Sequence, residues 1–135
     1  MRGDWMLTQE QIDSICDPDR SDEPLHFLWS YVGDAHGISS TQIDKDSFEE
    51  RKNDFFFVLR KLMDEGRFKL GHRKEERIMQ GSTEEVLEPF RQCFPASDEA
   101  LEKGLWLVFE ECPFVAVWVY KGLGEHGEDD YGWCF

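Results

Sequence analysis

The sequence predicts a helix-dominated α+β fold: four to five helices packed with a small antiparallel sheet, formed by a C-terminal hairpin plus a short strand near residues 67–70. Three observations predict it. Capping boxes stand before apolar runs at Thr8 and Ser47. Apolar residues recur at three- and four-residue steps through much of the first hundred positions. Beyond them, β-branched and aromatic runs flank a turn that contains Pro113.

Thr8-Gln9-Glu10-Gln11 opens a first helix that runs to about Cys16, with Leu7 placed to pack on Ile12. Asp17-Pro18-Asp19 ends it, because proline disfavours helical geometry in the residue before it. A second helix covers residues 23–34, with Pro24 in its first turn and Leu25, Leu28, Trp29 and Val32 in one apolar stripe. Residues 37–46 are small and polar and read as a loop. Ser47, with Glu50 three places on, caps a third helix over 47–65, whose Phe48, Phe55, Leu59, Leu62 and Met63 make it the central core helix. Its Glu49, Glu50, Arg51, Lys52, Asp54 and Lys61 read as a solvated face.

Arg67-Phe68-Lys69-Leu70 alternates as a half-exposed strand does, and residues 71–81 are charged and carry a turn. A fourth helix begins near Ser82 or Thr83, with Glu84 and Glu85 at the positive end of its dipole. Val86, Leu87, Phe90, Cys93 and Phe94 form its stripe, Pro89 lies about one turn in, and Pro95 ends it. Ser97 caps a short turn through Leu101. Residues 105–110 and 114–121 read as two strands around Glu111-Cys112-Pro113. With no repeat and no linker, residues 1–135 form one domain, and 122–135 an acidic–aromatic tail upon it, either mobile or docked on its own core.

Charge narrows the functions. Lys and Arg number 15 against 29 Asp and Glu, for a net −14. Nucleic acid and anionic membranes are poor partners for such a chain, since both are bound through Lys and Arg. A basic protein is the complementary partner, and solubility is the simpler use of the same charge. The acidity is uneven: residues 1–43 carry net −6, 44–77 net +1, and 78–135 net −9. Cys16, Cys93, Cys112 and Cys134 form no CxxC pair and read as reduced thiols. The opening MRGDWMLTQE lacks the apolar run of a signal peptide, so a cytoplasmic location is expected.

Motifs for chemistry are missing from the pattern. Asp17-x-Asp19 begins like a calcium loop, but Asp22 stands where the turn glycine is needed and Leu28 where the bidentate Glu belongs. His26, His36, His72 and His126 lie in separate segments without zinc-ligand spacing. No nucleophile elbow or phosphate-cradling glycine loop occurs, and Cys93 and Cys112 sit among apolar residues as inert core thiols. Glu110 and Glu111 are adjacent, so on a strand they point to opposite faces. The basic His72-Arg73-Lys74 after a helix and strand is similar to a winged helix. However, the would-be recognition helix carries Phe55-Phe56-Phe57 and acids, which suit burial better than a DNA groove. No catalytic residue, cofactor site or metal site is assigned. The remaining candidates lie at 125–135, where acids that steer a basic partner stand beside aromatic anchors: Glu125, Glu128, Asp129, Asp130, Tyr131 and Trp133.

In the segments LTQEQIDSIC, LHFLWSYVGDA, FFFVLRKLMDEGRFKL and WLVFEECPFVAVWVY, which span most of the chain from Met6 onward, the sequence resembles the uncharacterised bacterial domain-of-unknown-function family 596. The resemblance brings no activity and no ligand residue. It implies a link to toxin–immunity gene clusters, in which small acidic proteins neutralise a toxin. The expected function is therefore a non-enzymatic cytosolic binder of immunity type, which covers the active cleft of a basic toxin domain. The alternatives are a small-ligand-binding or enzymatic domain of unknown reaction, and a structural homodimer.

Overall fold

Reciprocal side-chain caps fix where two of the helices begin. The structure, a computed structural model, describes residues 8–15, 23–39 and 42–135. Helix α1 (Gln9–Ile15) opens on the predicted box: Thr8 Oγ1 accepts from the Gln11 N–H at 3.1 Å, and Gln11 Oε1 accepts from the Thr8 N–H at 2.9 Å. The expected Leu7 staple, Cys16 and the stop at Asp17-Pro18-Asp19 lie outside the described residues. Helix α2 (Leu25–Ala35) follows Pro24 and buries Leu25, Leu28, Trp29 and Val32, the stripe read from the sequence. Helix α4 (Thr83–Cys93) also has a full capping box, with Ser82 Oγ accepting from Glu85 N–H at 3.2 Å and Glu85 Oε1 from Ser82 N–H at 3.4 Å.

Helix α3 (Phe48–Asp64) is the core helix expected, burying Phe48, Phe55, Phe56, Val58, Leu59 and Leu62. Phe55 is fully buried, with the rings of Trp29, Phe56, Phe90 and Phe94 at 5.6, 5.5, 6.2 and 5.8 Å. Two expectations for this helix are corrected. Ser47 does not close a box with Glu50; its Oγ donates to Asp44 Oδ2 at 2.8 Å and accepts from Arg51 Nε at 2.9 Å. Nor do Arg51 and Asp54 belong to a solvated face, since they are 2% and 0% exposed. Arg51 meets Asp98 through two parallel bonds of 2.7 Å, and its Nη2 also donates to the Asp44 carbonyl at 2.7 Å. Asp98 Oδ2 in turn accepts from the Asp44 N–H at 2.9 Å. Asp54 lies 2.5 Å from His36 Nε2. Each buried charge thus has an opposite or hydrogen-bonding partner, the condition under which burial is tolerated.

Four strands form one antiparallel sheet: β1 (Phe68–His72), β2 (Arg77–Ile78), β3 (Phe114–Tyr120) and β4 (Asp130–Cys134), in the order β2-β1-β3-β4. Four α-helices and a 3-10 segment accompany it among the described residues, which makes the fold the α+β class predicted. The hairpin differs in its parts from the expectation. Residues 105–110 are not a strand; the chain forms a 3-10 segment, Glu102–Val108, interrupted by left-handed backbone at Lys103 (φ 57°) and Gly104 (φ 99°). Gly104 also passes so close to α2 that a Cβ there would stand 2.9 Å from Trp29 Cδ1, so glycine is required twice over. β3 therefore pairs with β1 and with β4 from the segment read as a tail.

The pleat divides the sheet into two faces. Phe68, Leu70, Phe114, Ala116 and Trp118 face the helices and join their core. Trp118 Nε1 donates to the Glu23 carbonyl at 2.9 Å, fixing the sheet against the start of α2. Lys69, Gly71, Val115, Val117 and Val119 lie on the opposite, outer face.

Two outcomes test this architecture. Phe55→Ala should lower the unfolding free energy by about 3–5 kcal/mol in urea denaturation, because the four rings packed around it cannot close over the space left. An unchanged midpoint would place α3 at the surface. The second concerns acid. Burial alone would raise the Asp98 carboxyl, but hydrogen bonds from Arg51 and the Asp44 N–H, with the Arg51 charge, hold it below its ordinary value. A carboxyl more acidic in the folded state contributes stability that is complete above the unfolded pKa of about 4 and is lost as pH falls through the folded value. Denaturation at stepped pH should show wild type losing stability on acidification more steeply than Asp98→Asn, which starts from a lower plateau. Parallel curves would mean that the carboxylate is uncoupled from folding.

Candidate functional site

Residues 121–129 turn the chain from β3 into β4, and their carboxylates hold that turn. Asp129 Oδ1 accepts from the Gly122 N–H at 3.1 Å, and Glu128 Oε2 from the His126 N–H at 2.9 Å. The Gly124 N–H donates to the Glu128 carbonyl at 2.8 Å, closing the loop upon itself. Asp130 Oδ1 accepts from the N–H of Tyr131 at 2.9 Å. Glu125, Glu128, Asp129 and Asp130 are all exposed, so Glu128 and Asp129 both shape the turn and show their charge to solvent. No Lys or Arg occurs in residues 122–135 to offset them.

β4 then carries Tyr131 and Trp133 onto the outer face of the sheet, opposite Val119 and Val117. Trp133 reaches across the sheet to β1. A Cβ on Gly71 would lie 2.5 Å from Trp133 Cζ3 and 3.1 Å from Val117 Cγ2, so the ring rests where a side chain would otherwise stand. This explains why Val115 and Val117 are 1% and 0% exposed although they face away from the helices. Trp133 stacks on Phe135 with centroids 5.7 Å apart and planes at 17°. Tyr131 and Phe135 remain 40% and 48% exposed. The sequence-read candidates are thus brought together on one hairpin, with the acids at its turn and the rings along its strand.

An open groove of about 610 Å³ runs between Tyr131 and Trp133 on one side and Arg77, Ile78 and Met79 on the other, with His72 also among its lining. Sequence reasoning missed the β2 wall, because two residues leave no alternation to read. It also missed a cleft of about 370 Å³ that joins His72, Lys74 and Glu75 to Glu110 and Glu111. The two glutamates, read as lying on opposite faces of a strand, are gathered in a turn at its rim. The basic stretch 72–74 is partly committed to structure: Arg73 Nε donates to the Cys112 carbonyl at 2.8 Å and Nη2 to the Leu107 carbonyl at 3.1 Å.

The remaining reactive side chains are dispersed. Cys112 is fully buried, and desolvation pushes its thiol up to about 11. Cys93, expected in the core, is instead exposed at the last residue of α4, although it continues the Val86–Phe90 stripe. His26 packs on Phe27, and burial lowers its pKa. Among the described residues no group of three or more His, Cys, Asp and Glu could hold a metal ion.

The family described as "Protein of unknown function, DUF596" matches residues 63–134, a span that contains the whole sheet and α4. Among solved structures, the chain is similar to an uncharacterized protein conserved in bacteria, from Neisseria meningitidis. The TM-score is 0.67 and the identity 25%, over 90% of this chain and 87% of that one. No curated protein matches the chain.

The Gly71–Trp133 contact can be tested directly. Gly71→Ala should displace the indole and destabilise the protein by about 1–3 kcal/mol, with a shift in tryptophan emission. In a Trp133→Ala background the same change should cost much less, because the obstructing ring is gone. Additive losses would show that the ring does not lie over Gly71.

Proposed function

We propose that this chain, which belongs to the DUF596 family, is a binding protein that captures a basic protein partner on the outer face of its sheet. One observation carries the reading: Tyr131 and Trp133 line an open groove, with Phe135 exposed beside Trp133, and Glu125, Glu128, Asp129 and Asp130 stand in a stretch, 122–135, that holds no Lys or Arg. Aromatic rings supply anchor energy at interfaces, and fixed charges speed encounter and set orientation. The hydrogen bonds of Glu128, Asp129 and Asp130 hold those charges in place before any partner arrives. A toxin domain that attacks nucleic acid is a partner of this chemistry, since its basic cleft accepts an acidic surface in place of phosphates. The family resemblance supports that choice through its link to toxin–immunity clusters. A cytosolic setting suits the reading, with Cys93 and Cys112 unbridged. No described helix is long and apolar enough to cross a membrane.

The groove's volume also falls in the range of small-ligand sites, which gives a ligand-binding reading its one supporting observation. Affinity capture from native lysate separates the two: a basic protein supports the first, a retained small molecule the second.

With the captured partner, association should slow markedly as salt rises, because the Debye length falls from roughly 30 Å at 0.01 M to 8 Å at 0.15 M. Glu128→Gln with Asp129→Asn and Asp130→Asn should slow association further. These variants keep an acceptor oxygen for each turn bond, so stability should change little. Trp133→Ala should speed dissociation instead. Rates indifferent to salt, to the acids and to Trp133 would remove the outer face from the interface.

A further inference from the structure

The backbone of β4 points half of its hydrogen-bonding groups away from the sheet, and the register shows which half. The Val119 N–H donates to the Arg67 carbonyl at 3.0 Å, so the odd-numbered residues of β3 turn their backbone groups toward β1. The even-numbered ones therefore pair with β4, through Ala116↔Cys134, Trp118↔Gly132 and Tyr120↔Asp130. It follows that Tyr131 and Trp133 direct N–H and C=O to the open side. The Asp130 carboxylate on the Tyr131 N–H is consistent with this, as that donor is not engaged by β3. Among the described residues nothing pairs with Trp133 along this edge, because β4 is the last strand of the sheet.

Sheet edges are commonly blunted by lysine, proline or a bulge. The segment Asp130-Tyr131-Gly132-Trp133-Cys134 has no Lys or Pro, and it pairs with β3 in unbroken register. Its side chains offer rings on the outer face and acids at the turn end, a pattern that suits an extended chain carrying cations and apolar groups in alternation.

We propose that the partner binds by strand addition: an extended basic segment of another protein pairs with the free edge of β4, engaging the N–H and C=O of Trp133. This rests on the basic-partner reading above and specifies its mode. Lysine or arginine of the incoming segment meets Asp129 and Asp130, and the alternate apolar residues flank Trp133 and Phe135. A second copy of this chain is a poor occupant, because it would bring four more acids in 122–135, no Lys or Arg there, and a net charge of −14.

The test uses the full chain and three short synthetic peptides: alternating lysine and valine, the same peptide N-methylated on every second backbone nitrogen, and alternating glutamate and valine. Binding is followed by titration, and amide exchange of the protein by NMR. The lysine–valine peptide should bind and slow exchange of the Trp133 amide. The N-methylated peptide, with equal charge and side chains, should bind about tenfold more weakly or less, as expected for two lost backbone bonds. The glutamate–valine peptide should not bind. Equal binding of the two lysine peptides with an unslowed Trp133 amide overturns strand addition and leaves the basic-partner reading in place. Equal binding of the glutamate peptide overturns that reading as well. Failure of all three peptides to bind overturns strand addition at this edge. A concentration-dependent dimer that protects the Trp133 amide without peptide would also overturn it, by making a second copy the occupant.

Discussion

The guanidinium of Arg51 is the constraint around which the helical half is arranged. It lies 2% exposed, against the rings of Trp29 and Phe48, 5.4 and 5.6 Å from their centroids. Removing so large a cation from water is costly unless nearly every donor is used. Here Nε, Nη1 and Nη2 reach Ser47, Asp98 and the Asp44 carbonyl, which come from the turn before α3 and from a stretch 47 positions further on. The start of α3, the loop before it and the turn after α4 are thereby held in one register. A shift of any of them leaves a charge buried without its partner. The His36–Asp54 contact repeats the device one turn further along α3, tying it to the end of α2. Between them, these polar contacts specify how the helices meet, while the phenylalanine cluster supplies the area that drives burial.

Much of this fold was legible because its signals are local. The Thr8 box is a property of four consecutive residues, and the stripes of α2, α3 and α4 are properties of single helices. What escaped depends on partners distant in sequence. Arg51 falls on the Phe48–Phe55–Leu59–Leu62 stripe, and that placement was the available sign of its burial. Its charge argued otherwise until Asp98, 47 positions away, was seen to answer it. Residues 105–110 have strand-like composition, yet their conformation is set upstream, where Lys103 and Gly104 take left-handed backbone and deliver Leu107 to the core. β4 was hidden for the opposite reason: Gly132 and the flanking acids are poor strand formers, and pairing with β3 outweighs their local preference.

The site was read in part. Composition alone pointed to Tyr131, Trp133 and the acids beside them, since rings and like charges concentrated in a short stretch are visible without a structure. The structure adds what they face. Trp133 covers Val117 because antiparallel pairing sets the two opposite, and it reaches β1 because Gly71 leaves room. The wall from β2 and the second cleft at Glu110 and Glu111 are products of chain reversal, which no spacing in the sequence encodes.

The same edge has a consequence for how the protein behaves in bulk solution. An open strand beside exposed rings is a template for copies to stack edge to edge, and mutual repulsion is the main opposing force on this chain. That repulsion fades as the medium approaches the isoelectric point, near pH 4.6. Colloidal dispersion at neutral pH and precipitation in mildly acidic buffer are therefore the two regimes expected of one surface. The acids between Glu125 and Asp130 act as gatekeepers against self-stacking whether or not a partner is present.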